Sequence, residues 1–376
     1  MSQRADQEHV FVQCLPGLEG VLQVEARRIG AVHPVVGGIE LVGPAGIHAE
    51  AALVLRVAER VLLRLLSFPV RRWAEVQKGL RAARFEDVVG VGAALVLESS
   101  IRIPGAPAAR ALAGSLSRLW QRPVEPARAE DRAGERPRLL LRVVDGRASL
   151  SADVGGELLH RRGWRQETSR APMRETLAAG VLELAGYVSD EPLRDPVCGS
   201  GTLIIEGALM ARSVPPGLGR TFAAERWPRA EQDDWSGRRE RLRSQIRPTA
   251  AAPIVGSDVN AGALGTARRN ARRAGVLADL KLERADVASA VAGATAPGLV
   301  VGNLPYGMRV DARGGLETFD SALARTLSRE FSGWRRALLV DDETRLARAG
   351  GSAPDRLHRL VNGGLPVVLG VWGSRR

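Results

Sequence analysis

The chain has 376 residues, 45% of them hydrophobic, with a net charge of +12 and an isoelectric point near 11.1. This length exceeds one small domain and predicts two or three, and the hydrophobic content supplies a sizeable core. The basic excess, carried mostly by arginine, favours a polyanionic partner, either nucleic acid or an anionic membrane surface. No run approaches the ~20 apolar residues of a membrane span. The stretch Met1-Ser2-Gln3-Arg4-Ala5-Asp6 lacks the apolar core of a signal peptide, so a soluble, cytoplasmic protein is expected.

In chain order, His9 to Cys14 reads as a strand, broken by Pro16-Gly17. Leu18 to Ile29 carries apolar residues at helical spacing, with Gly30 as a C-cap. Short strands follow at Val32 to Val36 and Gly38 to Val42. A second helix is predicted over Ile47 to Leu66, with Leu53, Val57, Val61 and Leu65 as its buried stripe. Residues 1–67 thus form an α+β unit. Residues 68–160 form a second domain, with helices over Trp73 to Ala83 and Pro107 to Trp120 and a strand over Ala94 to Ile103. Arg122 to Pro137 reads as a mobile loop. Leu139 to Val144 pairs with Ala148 to Ala152 across Asp145-Gly146, a hairpin signal.

His160-Arg161-Arg162-Gly163-Trp164-Arg165 is a basic patch at a domain boundary. It reads either as a solvated linker or as an arginine and tryptophan contact to RNA. Residues 161–376 form the third domain, and from Pro172 onward strand, loop and helix repeat. Strands are predicted at Leu193 to Val197, Pro253 to Asp258, Leu280 to Ala285, Leu299 to Asn303, Arg335 to Asp341 and Pro366 to Trp372. Helices are predicted at Met173 to Gly186, Thr202 to Ala211 and Gly262 to Gly275. That alternation means a parallel, doubly wound α/β sheet. The arginine-dense stretch Ser213 to Thr249 reads as a partly helical surface insertion.

Asp195-Pro196-Val197-Cys198-Gly199-Ser200-Gly201-Thr202 follows a strand and opens a helix. In such sheets ligands bind at the carboxyl ends of the strands, and Gly199 and Gly201 permit close backbone approach. The third glycine of a dinucleotide fingerprint and the Walker lysine are both missing, which disfavours a dehydrogenase or a nucleotidase. An acid ahead of the glycines repels phosphate and suits a cationic ligand such as S-adenosylmethionine. Asp258 ends the next strand, placed to accept ribose hydroxyls, and Asp286 follows the strand after that, placed to accept the adenine amino group. Singly, each of these acids reads as a helix cap or turn former. Three in register point to a class I methyltransferase.

Asn303-Leu304-Pro305-Tyr306 follows the apolar run Gly298 to Val301. It reads either as an ordinary strand-to-turn exit or as a pocket for a planar amine. In the second reading an amide oxygen and a backbone carbonyl accept hydrogen bonds from an exocyclic NH2, and an aromatic ring stacks on the base. Cys14 and Cys198 are far apart and imply no disulfide or metal cluster. His9, His33, His48, His160 and His358 are scattered and read as surface or structural groups. No metal is expected.

Asp195 to Glu206 closely resembles motif I of the THUMP-containing RNA guanine-N2 methyltransferases, which include bacterial large-subunit rRNA enzymes and tRNA position-6 enzymes. Ala171 to Ala178 looks like the segment preceding that motif, and Asp153 to Arg165 like the interdomain signature. Val361-Asn362-Gly363 is similar to a late family feature, and Gly17-Leu18-Glu19 with Ile29-Gly30-Ala31 to a ferredoxin-like lead-in. The resemblance covers nearly the whole chain and is weakest over Phe68 to Pro137.

It implies a ferredoxin-like region (1–67), a THUMP RNA-binding domain (68–160) and a Rossmann-like class I methyltransferase domain (161–376). S-adenosylmethionine would be bound by Asp195, Cys198, Gly199, Gly201, Thr202, Asp258, Asp286 and Asn303. The base would be held by Asn303, Pro305 and Tyr306, and the partner would be tRNA or rRNA, met by a monomer. One departure stands out. Many relatives have N-P-P-Y, whereas Leu304 takes the second position here, and N-L-P-Y also occurs in adenine-N6 dimethylases of rRNA. The alternatives are therefore an adenine-N6 methyltransferase on RNA or DNA, or a catalytically silent RNA-binding assembly factor.

Overall fold

The computed structural model describes residues 7–90, 93–128, 131, 136–166, 173–293, 296–305 and 315–373. The chain folds into two compact units. One contains the chain up to Cys14, Gln23–Leu159 and Arg220–Glu240; the other contains Leu15–Leu22, His160–Gly219 and the chain from Arg241 onward. Among the described residues no helix is long and apolar enough to cross a membrane.

The elements up to residue 153 are β1 (Gln7–Cys14), α1 (Glu19–Ala26), β2 (Ala31–Val35), β3 (Gly38–Pro44), α2 (Ile47–Val54), β4 (Ala58–Pro69), α3 (Trp73–Leu80), β5 (Leu95–Ile101), α4 (Ala109–Trp120), β6 (Val124–Pro126), β7 (Arg138–Val144) and β8 (Arg147–Asp153). The eight strands make one sheet in the order β2-β3-β1-β4-β8-β7-β5-β6. β4 corrects the helix expected through Leu66. It lies between β1 and β8, so Val61, Leu62 and Leu63 are all buried. A strand covered on both faces shows a continuous apolar run that periodicity alone does not separate from a helix. The β7–β8 hairpin forms as expected, with Asp145 at φ 51° and Gly146 at φ 72° in the left-handed region a two-residue turn requires. Within the expected loop from Arg122 to Pro137, Val124–Pro126 instead pairs parallel to β5. Part of that loop lies outside the described residues.

The remaining elements are α5 (Glu175–Leu184), β9 (Leu193–Asp195), α6 (Thr202–Ala211), α7 (Trp235–Arg243), β10 (Ile254–Asp258), α8 (Ala261–Arg273), β11 (Leu280–Arg284), β12 (Leu299–Asn303), α9 (Gly315–Glu330), β13 (Arg335–Val340), α10 (Thr344–Gly350), β14 (Arg356–Asn362) and β15 (Leu365–Trp372). The second unit's sheet has the order β11-β10-β9-β12-β13-β15-β14. β9 to β13 are parallel, and β15 runs antiparallel to both of its neighbours. The order reverses between β9 and β12, which makes their carboxyl ends the topological switch point where such sheets bind ligands.

The stretch expected as a surface insertion behaves differently. Residues 220–240 belong to the first unit, and Phe222, Trp227 and Trp235 are buried there. Trp227 stacks on His48 with ring centroids 5.6 Å apart, and Phe222 stacks on Trp235 at 5.2 Å. His48 is fully buried, with Nδ1 2.8 Å from Glu8 Oε2 and Nε2 3.2 Å from Asp233 Oδ2. Arg229 bridges the same two carboxylates and closes a ring of two anions and two cations. Burial opposes a charged His48, but hydrogen bonds and charge from Asp233 and Glu8 outweigh it and raise its pKa. Burial likewise opposes the Glu8 carboxylate, yet His48, the Gly46 backbone and Arg229 bring it down to about 2. The three residues also have the composition of a metal site. With the two imidazole nitrogens facing different carboxylates and a guanidinium between the acids, the ring is already neutral without a metal.

Candidate active site

The three acids stand along one edge of the second unit's sheet. Gly256 of β10 pairs with Asp195 of β9, and Asp258 pairs with Arg284 of β11, so the acids step outward along the carboxyl ends of successive parallel strands. Asp195 is 1% exposed and accepts the Val197 amide at 3.0 Å. Among the described residues it has no ion-pair partner. Burial pushes its pKa up to about 8; the Val197 hydrogen bond works against this and the nearby Asp258 carboxylate adds to it.

The loop after β9 is held by backbone contacts. The Cys198 amide donates to the Ser257 carbonyl at 2.9 Å, and the Gly199 amide donates to Asp258 Oδ2 at 2.9 Å. Asp258 Oδ1 accepts the Asn260 amide at 2.8 Å. Gly199 (φ 52°) and Gly201 (φ 86°) both adopt the left-handed conformation that disfavours a Cβ. They differ in surroundings. A Cβ at Gly199 would meet nothing within 4 Å, whereas one at Gly201 would come within 3.0 Å of Ala267. Gly199 therefore leaves open space beside the loop, and Gly201 packs α6 against α8.

Thr202 starts α6, and its hydroxyl accepts from Arg165 Nη2 at 2.8 Å. The Cys198 thiol is buried against Gly256. Burial, then the charges of Asp195 and Asp258, raise its pKa well above the ordinary thiol range. It therefore stays protonated and is no nucleophile. Asp286 is exposed, and its Oδ1 accepts the Ala288 amide at 2.9 Å, capping the short turn Val287–Ser289. The capping reading of a strand-end acid is realised there, with Oδ2 still available to accept.

Asn303 ends β12, on the other side of the switch point from Asp195. Its Oδ1 is buried and has no hydrogen-bond partner among the described residues. An orphaned buried acceptor is costly, about 1–3 kcal/mol. Tyr187 Oη and Ser257 Oγ are likewise without a partner among the described residues, so it is the position at the end of β12, beside the switch point, that singles Asn303 out. Leu304 is fully buried, packs with Val300, Leu327 and Leu338, and donates its amide to the Leu339 carbonyl at 3.0 Å. Its side chain faces the core rather than the site. The Pro305 carbonyl accepts from Arg345 Nη1 at 3.0 Å. Tyr306, expected to stack on the base, lies outside the described residues.

The basic patch is neither a solvated linker nor a free RNA contact at its core. Arg162 is buried and pairs with Glu206 of α6 at 2.9 Å, and Trp164 is 5% exposed. Arg165 lies 3.3 Å from Glu175 and its guanidinium stands over the Trp164 ring. The segment fastens α5 and α6 behind the glycine loop. Sequence reading also missed Arg345, whose partners Asp320 and the Pro305 carbonyl lie 25 and 40 residues away.

This edge fits the ligand expected of it. It offers a buried carboxylate with no cationic partner, a backbone flanked by open space, and an unpartnered acceptor across the switch point. Residues 9–62 match the RlmL ferredoxin-like domain and residues 162–369 match the RMKL-like methyltransferase domain. Among solved structures, SMU.472 in complex with SAH is 24% identical, with 99% of each chain covered and a TM-score of 0.84. A predicted N6-adenine-specific DNA methylase from Listeria monocytogenes is 24% identical over 98% of this chain and 97% of that one, at a TM-score of 0.83. TrmN from Thermus thermophilus is 20% identical over 97% and 98%, at a TM-score of 0.68. These likenesses establish a ferredoxin-like region followed by a Rossmann-like methyltransferase fold. The chain belongs to the UPF0020 family, the RMKL-like methyltransferase domain.

Proposed function

We propose that this protein methylates the exocyclic N2 of a guanosine in RNA, either tRNA or rRNA. The observation that carries this reading is the buried, unpartnered Asn303 Oδ1 at the end of β12, across the switch point from the donor-binding acids. S-adenosylmethionine supplies, when bound, an electrophilic methyl group on a positively charged sulfonium. Asp195, Gly199, Gly201, Asp258 and Asp286 would hold it, with Cys198 and Thr202 shaping the loop between them.

The target nucleotide must leave its stack to reach the site. Asn303 Oδ1 then accepts one N–H of the exocyclic amine and a backbone carbonyl near Leu304 accepts the other. This keeps lone-pair density on nitrogen and aims it at the methyl. Tyr306 supplies the aromatic face for the base, and Pro305 restricts the backbone between them. Positioning and oriented dipoles carry the rate, and no covalent nucleophile is needed.

The adenine-N6 alternative drew on Leu304. Because that side chain packs into the core, the leucine is a packing feature and argues little about the base. The near whole-chain resemblance to guanine-N2 enzymes then favours guanine. In the same reading residues 68–160 are the THUMP module that grips RNA in the cytoplasm, by shape and backbone. The test is Asn303→Ala. Asn303 is also expected to touch the donor, so the variant should fold and bind S-adenosylhomocysteine within about tenfold of the parent, yet lose about 10²–10³-fold in methyl transfer to RNA at saturating donor. Full activity in a folded variant would sink the assignment.

A further inference from the structure

We infer that Arg345 is a positioning residue that sets the Asn303-Leu304-Pro305 turn from behind, an inference that rests on the reading of Asn303 as the amine acceptor. Arg345, on α10, is 6% exposed, and its guanidinium is fully engaged. Nε donates to Asp320 Oδ2 at 3.1 Å and Nη2 to Asp320 Oδ1 at 2.9 Å, a two-pronged pair with a fully buried carboxylate on α9. Nη1 donates both to Asp341 Oδ1 at 3.0 Å and to the Pro305 carbonyl at 3.0 Å.

A guanidinium fork has a fixed plane, so seating two of its nitrogens on Asp320 determines where the third one points. That third nitrogen meets the turn two residues past Asn303. The Leu304 amide is separately fastened to the Leu339 carbonyl. The turn after β12 is therefore held at two points, the Leu304 amide by β13 and the Pro305 carbonyl by Arg345. Asn303 lies just before these anchors, and its side-chain oxygen has no hydrogen-bond partner among the described residues to fix it. A structural brace needs only the pair with Asp320; the additional bond to a carbonyl of the turn is what ties this cluster to the site. Small errors in the placement of a reacting partner cost large factors in rate, so the geometry points to a role in turnover rather than in donor binding.

The test is Arg345→Lys, which keeps the charge but loses the fork. Three readings are taken: S-adenosylhomocysteine affinity by calorimetry, hydrogen exchange at the Leu304 amide, and the split of kcat from KM on total bacterial RNA with labelled donor. The expected result is affinity within twofold, exchange at Leu304 faster by tenfold or more with the amides of β9 and β10 unchanged, and kcat lower by 10- to 100-fold at an unchanged KM. If Arg345→Lys fails to fold, the pair Arg345→Met with Asp320→Leu removes both buried charges together, which a core tolerates better than losing one, and is read in the same way. Unchanged exchange at Leu304 with unchanged kcat in the folded variant overturns the inference. A fully active Asn303→Ala instead refutes the amine-acceptor reading, and exchange at Leu304 still reports on whether Arg345 holds the turn.

Discussion

Asp258 Oδ2 accepts the Gly199 amide at 2.9 Å, so the first glycine of the loop after β9 is fixed to the end of β10. The same carboxylate accepts the Asn260 amide through its other oxygen. Each oxygen keeps a lone pair for a ligand hydroxyl. Asp258→Ala removes the anchor and the acceptor together. It should lower S-adenosylhomocysteine affinity by about 1–3 kcal/mol, roughly five- to 150-fold, in a folded protein. Calorimetric titration of parent and variant checks this, and an unchanged affinity would remove Asp258 from the donor site.

In the proposed donor site, Asp195 would give donor binding a pH dependence. Its pKa near 8 keeps it neutral below that pH in the free protein. A ligand ammonium beside it favours the carboxylate, so affinity should rise with pH up to about 8, and binding near pH 7 should release up to one proton. The proton count is read by calorimetry in two buffers of different ionisation enthalpy. The sign for stability is the reverse. Between the unfolded value of 3.8 and the folded value of about 8 the native state holds a proton that the unfolded chain has lost. Stability of the free protein should therefore fall as pH rises through that range, and Asp195→Asn should flatten the trend.

The Glu8–His48–Asp233–Arg229 ring predicts a different profile. His48 is raised above its unfolded 6.5, so its contribution is complete below that pH and is lost as pH rises through the folded value. Glu8 is lowered from 4.5 to about 2, so its contribution is complete above 4.5 and is lost as pH falls toward 2. The ring should be strongest between 4.5 and 6.5. Thermal denaturation across pH, with His48→Gln as the reference, should show the parent's advantage shrinking on both sides of that window. A constant difference would contradict the charged ring.

Arg162 and Glu206 are both buried, so removing one leaves the other short of its counter-charge. Glu206→Ala should cost about 3–5 kcal/mol, a fall in melting temperature of roughly 10 °C for a unit of this size. A shift under about 2 °C would show that the pair contributes little.

Most strands of the second unit are legible in the sequence because they are short apolar runs bounded by loops; its helices α9 and α10 are absent from that reading. The α6 boundaries at Thr202 and Ala211 followed from the glycines before them. β4 reads as a helix in sequence because a doubly covered strand loses its alternation. β14 escaped notice because its Arg356, Leu357 and Arg359 are exposed and it lies at the sheet edge. In the site, the strand-end acids were visible as a pattern. The fates of Arg162, Arg165 and Arg345 were not, since an arginine paired with a distant carboxylate looks in sequence like one awaiting phosphate. His48 reads in sequence as a surface or structural group, because the acids and tryptophans that bury it lie far along the chain.

The most direct test of methyl transfer to guanine N2 is a product analysis. RNA from a strain lacking this gene is incubated with the purified protein and isotopically labelled S-adenosylmethionine, digested to nucleosides and analysed by mass spectrometry. The account predicts label in N2-methylguanosine, lost with Asn303→Ala. Label in N6-methyladenosine instead, or none in any nucleoside although the donor binds, would contradict it.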